Sequence, residues 1–128
     1  MMINGKEIGL KYTVQAQQEI AALCSDKKFK NIVQLFGDEV PDAERIKSMY
    51  DVAHIMNNTF EQSARHGRGE PVDVDADYSV FTFDDFLDLD VIEEQELEAA
   101  VFATIAGGRK RAVEAQSPKG KKNKTNPA

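Results

Sequence analysis

Asp73, Asp75 and Asp77 alternate within Val72-Asp73-Val74-Asp75-Ala76-Asp77-Tyr78-Ser79, the spacing of the first acidic ligands of an EF-hand calcium loop. The match stops there. The sixth position, where glycine makes the sharp turn, is Tyr78, and the twelfth, where a bidentate Glu closes the shell, is Asp84. The stretch therefore reads as a solvated acidic loop. His54 and His66 each lack a second ligand at three- or four-residue spacing, so both read as polar residues on helix flanks. Cys24 closes the apolar run Ile20-Ala21-Ala22-Leu23 and reads as a small buried hydrophobe, since a nucleophilic thiol needs a base held beside it and no local signature supplies one. Asp84 and Asp85 are adjacent and leave a helix on different sides, whereas acid–base work needs two carboxyls that face each other. The basic run Arg109-Lys110-Arg111, with Lys119, Lys121, Lys122 and Lys124, lacks the interleaved aromatics on which single strands stack. No catalytic residue, cofactor or metal ligand is assigned, and the expectation is a protein that is not an enzyme.

Charge is distributed unevenly along the chain. Residues 1–104 carry nine Lys and Arg against 21 Asp and Glu, and residues 105–128 carry seven against one. An acidic body argues against nucleic-acid binding by the folded part, because phosphate contacts need clustered cations. No apolar run approaches the roughly 20 residues of a membrane span, and Met1-Met2-Ile3-Asn4-Gly5 carries no secretion signal. The expected location is the cytoplasm.

These residues must be positioned by a mainly α fold. Met2 to Tyr12 reads as a β-hairpin around Asn4-Gly5, the preferred pair for a type I′ turn, with Ile8, Leu10 and Tyr12 alternating on the second strand. Thr13 caps a helix running to about Cys24, with Val14, Ala16 or Gln17, Ile20, Ala21 and Leu23 as its face positions. A short helix is expected from Phe29 to Phe36, stopped by Gly37. The longest element is a helix from Pro41 to Gly67, whose stripe Ile46, Met49, Tyr50, Ala53, Met56 (or Asn57), Phe60 and Ala64 should hold the core, with Val52 and Ile55 left as surplus apolar surface. Thr82 caps a helix over Phe83–Leu89, with Asp85 at the capping-box position and Phe83, Phe86 and Leu87 pointing inward. Asp90 starts an acid-led helix from Val91 to about Ala106, broken or frayed by Gly107-Gly108, with Arg109 to Gln116 able to add a basic last turn or two. The whole is an N-terminal β-hairpin on a bundle of about four to five helices: one domain over 1–116 and a disordered Lys-rich tail over 117–128.

This layout resembles the tail assembly chaperones of long-tailed, non-contractile bacteriophages and prophages. The residues that carry the resemblance are Ile3-Asn4-Gly5-Lys6-Glu7-Ile8 with Leu10-Lys11-Tyr12-Thr13, the following Glu19-Ile20-Ala21-Ala22-Leu23, the long middle helix, and Thr82-Phe83-Asp84-Asp85-Phe86-Leu87-Asp88-Leu89 ahead of an acid-led helix and a Lys-rich tail. The resemblance implies a small helical protein of the host cytoplasm, absent from the virion, that keeps the tape measure protein soluble while the tail tube assembles around it. It also implies the tail tube protein as a partner of a longer, frameshifted form, and it is compatible with a homo-oligomer. The rival readings are a phage-encoded nucleic-acid-associated regulator using the basic tail and a minor structural tail protein. A holdase for amphipathic helices needs an apolar groove, and the residues expected to line it are Val52, Ile55, Met56 and Phe102, with Met56 a side chain soft enough to fit varied partners.

Overall fold

The computed structural model describes residues 1–24, 26–28, 32 and 34–116, the stretch 109–116 for its backbone alone. It is mainly helical, as the sequence implies: strands β1 (Met2–Ile3) and β2 (Lys6–Glu7), then helices α1 (Val14–Ala21), α2 (Asp42–Gly67), α3 (Phe83–Leu87) and α4 (Val91–Gln116). The expected tail over 117–128 and residues 29–31 and 33 of the expected helix over Phe29–Phe36 lie outside the described residues. Of that helix, Ile32 is buried, and Leu35 and Phe36 pack against the core.

The hairpin forms where Asn4 and Gly5 both take left-handed backbone, at φ 50° and 79°, as a type I′ turn requires. Met2 pairs with Glu7 and Ile3 with Lys6. The second strand is shorter than expected, because beyond Glu7 the chain stays extended but bonds to α2. Lys11 N–H donates to the Met56 carbonyl (3.1 Å), while Asn57 Nδ2 donates to the Gly9 carbonyl (2.8 Å) and Thr59 Oγ1 to the Lys11 carbonyl (2.7 Å). Gly9 permits this approach, since a Cβ there would collide with the Phe60 ring.

Thr13 caps α1 by accepting from Ala16 N–H (3.0 Å). Ala16 and Ile20 are its buried residues, whereas Val14 and Leu23, expected inside, are exposed. Helix α2 starts after Pro41 with Asp42 and Glu44 in its first turn and ends with Arg65 and His66 in its last, both charges opposing the helix dipole. Its stop is a Schellman motif: Gly69 N–H donates to His66 O, Glu70 N–H to Arg65 O, and Gly69 has φ 75°. The helix thus ends at Gly67 as expected, and the left-handed residue that follows it is Gly69.

The chain then returns along α2 and reaches α3, where Thr82 and Asp85 form the expected capping box. Phe86 is buried there, but Leu87, expected inward, is 60% exposed. Asp85 also accepts from Lys6 Nζ (2.7 Å) and Asn4 Nδ2 (3.3 Å), tying the hairpin tip to α3. Asp90 and Glu93 form a second reciprocal cap at the start of α4. Leu97, Val101 and Ile105 carry its buried face. Gly107-Gly108, expected as a break, leaves the helix continuous to Gln116. Packing explains Gly108: a Cβ there would lie 2.5 Å from Tyr12 Cδ2.

Candidate functional site

Most of the chemistry-bearing side chains converge on α2. Its buried arc comprises Met49, Val52, Ala53 and Met56, and then Asn57, Asn58, Thr59 and Gln62. Asn57, Asn58 and Thr59 are there because two extended segments flank the helix and need partners, whereas the buried Gln62 Nε2 finds no hydrogen-bond partner among the described residues. Asn57 Oδ1 accepts from Val80 N–H and Ser79 Oγ, both at 2.8 Å, and Asn58 Oδ1 accepts from Tyr78 N–H at 2.7 Å. Arg65 lies over the Tyr78 ring at 4.6 Å. The loop expected to be simply solvated is therefore pinned at Tyr78–Phe81, while Val74 and the loop's aspartates stay in water.

One turn earlier, Tyr50 OH lies 2.9 Å from His54 Nδ1, and His54 Nε2 lies 2.9 Å from Asp77 Oδ2. The Phe81 carbonyl lies 3.2 Å from the same Nδ1, so the ring is contacted by Tyr50 and Phe81 on one nitrogen and by Asp77 on the other. The order Tyr–His–Asp is that of a hydrolytic relay, but burial and the nearby Asp77, Asp51 and Asp85 push the Tyr50 hydroxyl above its ordinary range. Its ring is held against Phe81, Phe83 and Phe86. An activated nucleophile needs the opposite shift, so the arrangement serves as a clamp. Burial and then Asp26 likewise push up the Cys24 thiol, which is buried against Ile20 O and is held in its unreactive form. Asp73 accepts from Asp75 N–H, and Asp77 from Ser79 N–H. Among the described residues no group of three or more His, Cys, Asp or Glu is placed to hold a metal ion.

The residues expected to line a partner groove are not brought together. Val52 and Met56 are 0% exposed; both are core, and that expectation is corrected, because α2 turns them toward α1 and α4 while leaving Ile46 and Phe60 at its margin. Ile55 is half-buried beside His54 and Asn58 in an open polar cleft with Glu19, Asp75 and Asp77. Phe102 is on the other side of the molecule, edge-on to Phe36 with ring centroids 5.5 Å apart.

Phe36 leads to a second concavity, a groove of about 670 Å³ between the N-terminal halves of α2 and α4. Ile46, Met49 and Val91 supply its apolar surface, and Asp38, Asp42, Arg45, Glu94 and Glu98 its charged edge. Ile46 is 44% and Val91 73% exposed. Arg45 pairs with Asp42 at 2.5 Å. Burial, a hydrogen bond from the protonated Glu94 carboxyl to Glu98 and the Glu98 charge push the Glu94 carboxyl up to about 7. Comparison with family models, curated proteins and solved structures finds no match. The groove and the clamp are thus read from their own chemistry. Sequence reasoning missed both, although Asn57-Asn58-Thr59 in mid-helix, three residues of poor helix propensity in a row, was a usable sign of a polar anchor, and Glu94 with Glu98 at i,i+4 a usable sign of held repulsion.

Proposed function

We propose that the chain is a phage tail assembly chaperone that holds a helical part of the tape measure protein in the groove between α2 and α4. The observation that carries this reading is the groove itself: Ile46 and Val91 stay in water beside a lining of carboxylates, where two 26-residue helices face each other. Exposed apolar side chains flanking a concave, charged-edged surface are what an amphipathic helix needs to dock. The acidic surface keeps a loaded complex soluble. No described helix is long and apolar enough to cross a membrane. In this reading the protein acts in the host cytoplasm, leaves before the virion is complete, and meets the tail tube protein through a longer form.

Co-expression with the tape measure protein tests it. A soluble complex is expected from the native chain, and its loss from Ile46→Asp with Val91→Asp, two exposed changes that leave the core intact. A tape measure protein that stays insoluble beside the native chain, or recovery of the chain from purified virions, overturns the reading.

A further inference from the structure

The groove between α2 and α4 has a charge asymmetry that its apolar surface alone does not need. Four carboxylates line it, from Asp38 in the preceding loop, Asp42 on α2, and Glu94 and Glu98 on α4, against one cation, Arg45. Arg45 is engaged by Asp42. Among the described residues neither Glu94 nor Glu98 forms an ion pair. Placed i,i+4 on one face of α4, they face each other at the groove edge, an arrangement that is unfavourable on an isolated helix, and the Arg45 charge, which acts on Glu94 in the opposite sense, does not offset burial and Glu98. Glu94 is already pushed up to about 7 by burial and by Glu98, so it holds a proton that a nearby cation would displace.

We propose that the occupant of this groove is an amphipathic helix whose apolar stripe is flanked by Lys or Arg, the stripe lying on the exposed Ile46 and Val91 and one basic side chain entering between Glu94 and Glu98. The inference rests on the groove being a helix-binding site and adds the chemistry of what binds there. Specificity comes from the carboxylate pair: a basic flank relieves the repulsion, and an acidic flank increases it. Binding therefore releases a proton near neutral pH and weakens as pH falls through about 7, where Glu94 takes its proton back.

Two probe peptides of about 18 residues, long enough for a helix to form on binding, share one Leu stripe and differ in a Lys or a Glu flank. With the full chain at low salt, the Lys peptide is expected to bind at least about tenfold tighter, a difference of about 1.4 kcal/mol. Glu94→Gln with Glu98→Gln should shrink that preference to about threefold or less, while Glu96→Gln with Asp88→Asn, two exposed acids outside the groove, should preserve it. Equal binding of the two peptides overturns the proposal, as does a preference that survives the Glu94/Glu98 change or that the control pair abolishes as fully. Deletion of residues 117–128 that raises Lys-peptide affinity about tenfold would make the chain's own basic tail the occupant, and self-association lost on Ile46→Asp would make it a second copy; either outcome overturns the assignment to a partner helix. If the Lys peptide binds as expected and the tape measure protein stays insoluble, the chaperone reading fails and the groove assignment stands. If the tape measure protein is solubilised equally by the Glu94→Gln/Glu98→Gln variant, the reverse holds.

Discussion

Asn57 joins three parts of the chain through one side chain. Its Nδ2 donates to Gly9 O, its Oδ1 accepts from Val80 N–H and Ser79 Oγ, and it is fully buried. Asn57→Ala removes these partners without admitting water, leaving a backbone donor and a backbone acceptor unpaired, which costs about 1–3 kcal/mol for each group. Asn58, with its bond to Tyr78 N–H, should lose less on the same change. Urea denaturation of the two variants checks the order; an Asn57→Ala chain as stable as the native one would show that the extended segments do not depend on this anchor. The helical stripe offered Met56 or Asn57 for one core position, and hydropathy gave no reason to expect both inside, because amides count as polar until the segments that need them are known. The same blindness assigned Val52 to a partner surface and left Met56 on both the core stripe and the expected groove, although both are buried. Their burial is decided by what returns to pack on α2, a matter of tertiary structure, while Ile46 at a three-residue offset from Met49 carries an equally apolar side chain into water.

Elements with local causes were legible. The Asn4-Gly5 turn, the Thr13 cap, the Thr82–Asp85 box and the α2 span all follow from residues within a few positions of each other. Gly67 and Gly69 show where that legibility ends: either could stop a helix, and only the backbone distinguishes them. Gly67 is helical with open space around its Cβ position, so Gly67→Ala should stabilise by about 0.4–1 kcal/mol through the unfolded chain. Gly69 sits at φ 75° in the Schellman motif, so Gly69→Ala should destabilise by about 1 kcal/mol or more. Opposite signs in thermal melts are the expected result, and equal signs would refute the assignment of Gly69 as the left-handed stop. Gly107-Gly108 was misread as a break for a related reason. Glycine weakens a helix by propensity, but at Gly108 the missing Cβ makes room for Tyr12, a contact 96 positions distant in sequence that local rules do not contain.

For the molecule as a whole, two carboxyls drive stability in opposite directions as pH changes. Lys6 first, with backbone and side-chain hydrogen bonds from Thr82 and a hydrogen bond from Asn4, holds Asp85 well below the usual carboxylate range. Its contribution is present at neutral pH and is lost only in strong acid, as the folded state is finally protonated. Glu94 is the reverse case. Its folded value of about 7 lies above the ordinary 4.5, so between those values the folded state holds a proton that the unfolded state has released, and stability declines as pH rises through the window. The native chain should therefore melt at a higher temperature near pH 5 than near pH 8, with a steeper decline than Glu94→Gln, which keeps the neutral shape and cannot titrate. Glu98→Gln should flatten the profile as well, by removing the like charge that raises Glu94. Parallel profiles for all three chains would show that the pair does not share a proton in the folded state, and would remove the electrostatic reason for the groove to seek a cation.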